Sequence, residues 1–197
     1  MIKIEQPAMA VHSDDVPGAL YLMDYTVMIP ASLTPKQVVD KIITPGIVPI
    51  AKLRFLILNC HGHYGRAPGA SVATGGFGLS MGTGIGRGDL GYFRALRGIV
   101  DNIWITACGP ARQTNAGAKG ERLGGDGLMF CSELAQMTQA YVVAATTHQD
   151  GAAGAFMPKG YIDNYEGVVL QFGPNGNVVW QHDYGRSWID ALTHGIN

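Results

Sequence analysis

Three strand-length apolar runs constrain this chain more than any other feature: Leu53-Arg54-Phe55-Leu56-Ile57-Leu58, Asn102-Ile103-Trp104-Ile105-Thr106-Ala107 and Tyr141-Val142-Val143-Ala144-Ala145-Thr146. Each is nearly continuous in the apolar sense and rich in β-branched or aromatic residues, as expected of strands covered on both faces. Helical patterns lie between them. Thr34 and Pro35 open one that continues through Val38, Val39, Ile42 and Ile43, with a threonine cap and a proline in the first turn. Asp89 is placed to cap a second through Leu90, Phe93, Leu96 and Ile99, and a third runs from about Gly127 to Gln139 with Leu128, Cys131, Leu134 and Ala135 on one side. Strand, helix, strand, helix, strand predicts a mostly parallel sheet with crossover helices. Ligand sites in such sheets lie beyond the carboxyl ends of the strands.

Two features stand outside that pattern. Residues 167–172 and 177–182, joined by Gly173-Pro174-Asn175-Gly176, read as a β-hairpin extending a sheet edge. Residues 71–88 alternate small and apolar side chains, as a glycine-rich hairpin or flap does. The 28 glycines cluster in 62–91 and 109–127, which marks those zones as loops. With no repeats and no interdomain linker, the reading is one domain over 1–197, its core at about 19–172, with a C-terminal hairpin and helix at about 167–197.

Composition removes several function classes. Hydrophobic residues make up 47% and charged ones 15%, which excludes disorder. Fourteen basic against fifteen acidic side chains give a net charge of -1, so no global field draws the chain to nucleic acid or an anionic bilayer. His12, Asp14 and Asp15 interrupt the apolar run a secretory signal would need, and no stretch of about 18 apolar residues occurs; the expectation is a cytoplasmic protein. Three cysteines, Cys60, Cys108 and Cys131, leave at least one free thiol.

The chemistry gathers at two strand ends. The first run leads into Asn59-Cys60-His61-Gly62-His63 and the second into Cys108-Gly109. On neighbouring parallel strands, which lie about 4.8 Å apart, His61 and Cys108 face each other. A free thiol is only a few per cent ionised at pH 7, and a nearby imidazole lowers its pKa. His61 is therefore the candidate general base and Cys108 the nucleophile, with His63 a substitute base or pocket residue. The amides of Gly62 and Cys108 are the candidate oxyanion hole.

An apolar strand ending in His-Gly, followed by one ending in Ala-Cys that places Cys108 47 positions after His61, resembles the caspase-like (clan CD) cysteine peptidases. The resemblance is closest to the bacterial CHAT-domain branch, through LSMGTGIGRGDLGYFRALRGIVDNIWITACG and GGDGLMFCSELAQMTQAYVVAATT, and it covers roughly residues 53–147. It implies a three-layer α/β sandwich with six strands and helices on both faces, and peptide-bond cleavage by a His/Cys dyad carried onto His61 and Cys108. The glycine-rich segment after Cys108 and the C-terminal hairpin depart from the pattern, which puts specificity in doubt.

Other readings of the same residues stand beside it. Cys108 can also be read as the small buried hydrophobe that free cysteine often is, and His61 as a loop histidine. A catalytically silent caspase-like binding or regulatory module keeps the fold without the chemistry. Cys60, His61, His63 and Cys108 also make a conceivable zinc set, although adjacent Cys-His spacing is unlike common ligand loops; no metal and no cofactor are expected. Asp150, just past the third strand, is a candidate pocket residue for a basic side chain or else a solvated turn. Cys131 is core. The expected partner is a peptide or protein substrate, with the oligomeric state open.

Overall fold

The computed structural model describes residues 1–16, 20–44, 52–64, 76–114, 125–147, 149 and 157–185, with His63, Tyr64, Phe77 and Thr114 described by backbone alone. Its centre is a seven-stranded sheet made of β1 (Ala8–Ser13), β2 (Tyr25–Ile29), β3 (Leu53–Asn59), β4 (Val100–Ile105), β5 (Tyr141–Ala145), β6 (Val168–Phe172) and β7 (Val178–Asp183). The spatial order is β7-β6-β5-β4-β3-β1-β2. The five strands from β5 to β2 run parallel, and β6 and β7 return antiparallel as the hairpin the glycine-proline turn predicts. The mostly parallel α/β sheet of the sequence reading is thus present, with seven strands instead of six.

The sheet reaches further toward the N-terminus than a core beginning near residue 19. β1 is buried along its whole length between β2 and β3. Because the chain runs from β1 outward to β2 and then crosses back to β3 on the other side, the topological switch point lies between β1 and β3. That is where an open α/β sheet places its ligand crevice.

Among the described residues, one face carries three helical segments. Helix α1 (Pro35–Ile42) starts at Thr34, whose hydroxyl accepts from the Gln37 amide while the Gln37 side chain accepts from the Thr34 amide at 2.9 Å, a reciprocal cap that satisfies two otherwise orphaned donors. Helix α2 (Gly127–Thr138) is capped by the Asp126 carboxylate accepting from Met129 N–H at 3.0 Å. Between them lies a 3₁₀ helix, Arg87–Leu96, touching both. The sequence reading makes this an α-helix capped by Asp89; instead the Asp89 carboxylate, three residues inside, accepts from Gly86 N–H at 2.9 Å. The physical reason is in the spacing. Leu90, Phe93 and Leu96 are buried at intervals of three, and a 3₁₀ helix stacks i and i+3 on one side where an α-helix would rotate them apart.

These segments pack Val38, Val39, Ile42, Leu90, Phe93, Phe130 and Leu134 onto Val11, Leu56, Leu58, Ile103 and Val142 of the sheet. Helices are expected on both faces. Among the described residues the second face is covered by extended and irregular chain: Ile4, Tyr21, Met23, Met157, Ile162 and Tyr165 pack on Ala8, Ala10, Ile57, Val143 and Ala145. Alanines on the sheet leave the room those larger side chains fill. A C-terminal helix beyond residue 185 falls outside the described residues.

Candidate active site

The parallel strands all end on one rim, so residues just past β1, β3, β4 and β5 converge. After β3 the chain leaves the sheet at Cys60, and His61 begins a separate strand, His61–Tyr64, which pairs with Gly76–Ser80 and through it with Ile85–Gly86. The glycine-rich flap of the sequence reading is this three-stranded unit in its described part. His61 is exposed on it.

After β4 the chain enters a tight loop. Gly109 holds φ of +55°, a left-handed turn that glycine adopts without strain. The turn is fastened on two sides: Gly109 N–H donates to Thr147 O at 2.8 Å, Ala111 N–H to Ala145 O at 3.0 Å, and Gly127 N–H at the start of α2 to Arg112 O at 2.9 Å. Cys108 is thereby fixed against the end of β5, half-buried.

Since β3 and β4 are adjacent and parallel, the two loops meet. A Cβ on Gly62 would come within 1.9 Å of the Cys108 carbonyl oxygen, so the backbone next to His61 lies directly on the backbone of Cys108, and only a glycine permits that approach. The imidazole is oriented from the switch point. Its Nε2 stands 3.3 Å from the backbone carbonyl of Asp15, just past β1. A carbonyl only accepts, so Nε2 carries the proton and Nδ1 is the nitrogen available to receive one. The Asp15 loop is itself held, by Ser13 Oγ donating to Asp15 Oδ1 at 2.5 Å and Ala31 N–H donating to Asp14 Oδ2 at 3.3 Å.

A fourth component comes from beyond β5. Gln149 N–H donates to Cys108 Sγ and the thiol can donate to Gln149 O, both at 3.5 Å. The amide donor favours the thiolate and the carbonyl favours the thiol. Gln149 is clasped in place: its Oε1 accepts from Glu166 N–H and its Nε2 donates to Glu166 O, each at 3.0 Å. Neither the Asp15 carbonyl nor the Gln149 amide figures in the sequence reading, because both are main-chain groups that no side-chain pattern announces.

The other two thiols differ in kind. Cys60 and Cys131 are fully enclosed in the helix-side core. Burial pushes both far above the ordinary thiol value, with the charges of Asp15 and Cys108 adding to the effect on Cys60. Among the described residues no group of three or more His, Cys, Asp or Glu is arranged to hold a metal. The side chain of His63, and Asp150 altogether, lie outside the described residues. Among those residues no helix is long and apolar enough to cross a membrane.

Neither protein-family models nor curated proteins nor solved structures match this chain.

Proposed function

We propose that this chain is a caspase-like cysteine endopeptidase, with Cys108 the nucleophile and His61 the general base, acting on a peptide or protein substrate. The observation that carries the reading is the contact of Gly62 with the Cys108 backbone, together with the Asp15 carbonyl that turns the His61 ring. Nucleophile, base and a third group orienting the base form the arrangement that activates a thiol. In the first half-reaction the Cys108 sulfur bonds to the scissile carbonyl carbon, its proton passes to His61 Nδ1, and that proton leaves on the departing amine. In the second, His61 takes a proton from water, the hydroxide displaces the sulfur, and the thiol is restored. The Gly62 and Cys108 amides are proposed to hold the oxyanion, where one donor is typically worth about 100-fold to 1,000-fold in rate.

Cys108 is half-buried and the other cysteines are sealed in the core, which makes the thiol test selective. At neutral pH, iodoacetamide is expected to modify Cys108 alone, and a peptide library is expected to be cut by wild type and by neither Cys108→Ala nor His61→Ala. Equal, slow alkylation of all three thiols, or a library left intact by wild type as by C108A, contradicts the proposal. The second outcome, with Cys108 still selectively reactive, favours a silent module.

A further inference from the structure

Three polar side chains lie side by side in the sheet, one step beneath the rim. His12 on β1 is in register with Asn59 on β3, and the pairing of Leu58 with Ile105 places Thr106, just past β4, next in the same row. Residues two positions earlier, Ala10, Ile57 and Trp104, belong to the face opposite the described helices, and strand periodicity sends all three polar side chains to that face. They are bonded end to end. Thr106 Oγ1 donates to Asn59 Oδ1 at 3.0 Å, Asn59 Nδ2 lies 2.9 Å from His12 Nδ1, and His12 Nε2 lies 3.1 Å from the Tyr21 carbonyl.

The directions follow from the last link. The Tyr21 carbonyl only accepts, so Nε2 carries the hydrogen and Nδ1 accepts from the Asn59 amide. This requires a neutral His12, and burial lowers its pKa below the ordinary value. Tyr21, its ring 5.8 Å from that of His12, is buried over the row. Burial, with the charge of Asp163 second, pushes its phenol up to about 12, so the surroundings stay uncharged by Tyr21.

His12 is fully buried and Asn59 is 4% exposed. Replacing a buried hydrogen-bonded pair by apolar groups of like shape is nearly neutral for stability, so the fold alone has little need of this row. Its position suggests another use. Asp15 follows His12 by three residues, His61 follows Asn59 by two, and Cys108 follows Thr106 by two.

We propose that His12, Asn59 and Thr106 form a belt that locks the three strand ends together, so that the Asp15 carbonyl, the His61 ring and the Cys108 sulfur are delivered to a common point. They are positioning residues, not catalytic ones, and the inference rests on the dyad reading.

Thr106→Val keeps the volume and removes the donor, whereas Thr106→Ser keeps the donor. The experiment follows the rate of Cys108 alkylation by iodoacetamide against pH for wild type and both variants, with Tm measured in parallel. T106V is expected to react about tenfold more slowly at pH 7, its profile moved to higher pH, as a thiol returning to the few-per-cent ionised state does. T106S is expected to stay within about twofold of wild type. A T106V protein that melts lower but keeps the wild-type profile makes the row purely structural and overturns the inference. A wild-type profile like that of the denatured thiol overturns the dyad reading as well, so the two failures are distinguishable. Thr106 is half-buried, and T106A serves the same comparison should T106V not fold.

Discussion

Gly62→Ala isolates the contact on which the site is built. The new methyl would stand 1.9 Å from the Cys108 carbonyl oxygen, whereas a carbon beside a carbonyl oxygen stands at about 3.3 Å or more. One loop must retreat by about 1.4 Å, the shortfall against that spacing. Overpacking of this kind costs about 1–3 kcal/mol in stability. A displacement of about 1 Å in a catalytic arrangement costs about 100-fold in rate, or about 2.7 kcal/mol of barrier. Gly176→Ala, in the turn between β6 and β7 at the end of the sheet away from the rim, supplies the control. Its methyl would lie 2.3 Å from Gln136 Nε2 at a φ of +84°, a crowded and strained substitution. Fluorogenic peptide cleavage, Cys108 alkylation and thermal melting are measured for both. G62A is expected to lose about 100-fold in kcat/KM and about tenfold in alkylation rate at pH 7, while G176A melts lower and keeps wild-type reactivity below its transition. Equal losses in the two variants, or a G62A thiol as reactive as wild type, would refute the reasoning.

Two further outcomes follow from the same geometry. Burial holds the folded pKa of His12 below 6.5, so in acid the unfolded chain binds the additional proton. Stability is therefore fully present above about pH 6.5 and declines as pH falls below it, by at most about 1.4 kcal/mol per pH unit, until the folded-state value is reached. Urea unfolding at several pH values checks this, and His12→Gln is expected to flatten the acid slope; an unchanged slope contradicts it. Gln149→Ala removes the clasp on Glu166 and loosens the amide at the sulfur, with an expected cost of about 1–2 kcal/mol in stability and severalfold slower Cys108 alkylation. Alkylation at the wild-type rate would deny that amide a part in the site.

Legibility in the sequence tracked how far each element depends on its own residues. β3, β4 and β5 are nearly continuous apolar runs, α1 carries its own cap, and the hairpin carries its own turn. β1 escapes because His12, with Asp14 and Asp15 beyond it, reads as an interruption of the short apolar stretch Ala8-Met9-Ala10-Val11, whereas His12 and Ser13 are both buried in the fold. β2 is a five-residue edge strand with alternate exposure and little signal of its own. The 3₁₀ segment was visible as a helix, but its period of three is easily taken for 3.6 over so few residues. At the site, His61 and Cys108 stand out because side chains of those types follow apolar strands. The Asp15 carbonyl depends on where β1 lies relative to β3, and the His12–Asn59–Thr106 row on the register of three strands. No local pattern encodes either relation.

The central claim is that the His61 imidazole governs ionisation of the Cys108 thiol. Thiolate ultraviolet absorbance, followed against pH in wild type and His61→Ala, tests it directly, since Cys60 and Cys131 stay protonated in both folded proteins. In wild type one thiol is expected to ionise well below the ordinary value of about 8.5, and in H61A to move up toward it. Superimposable curves would contradict it.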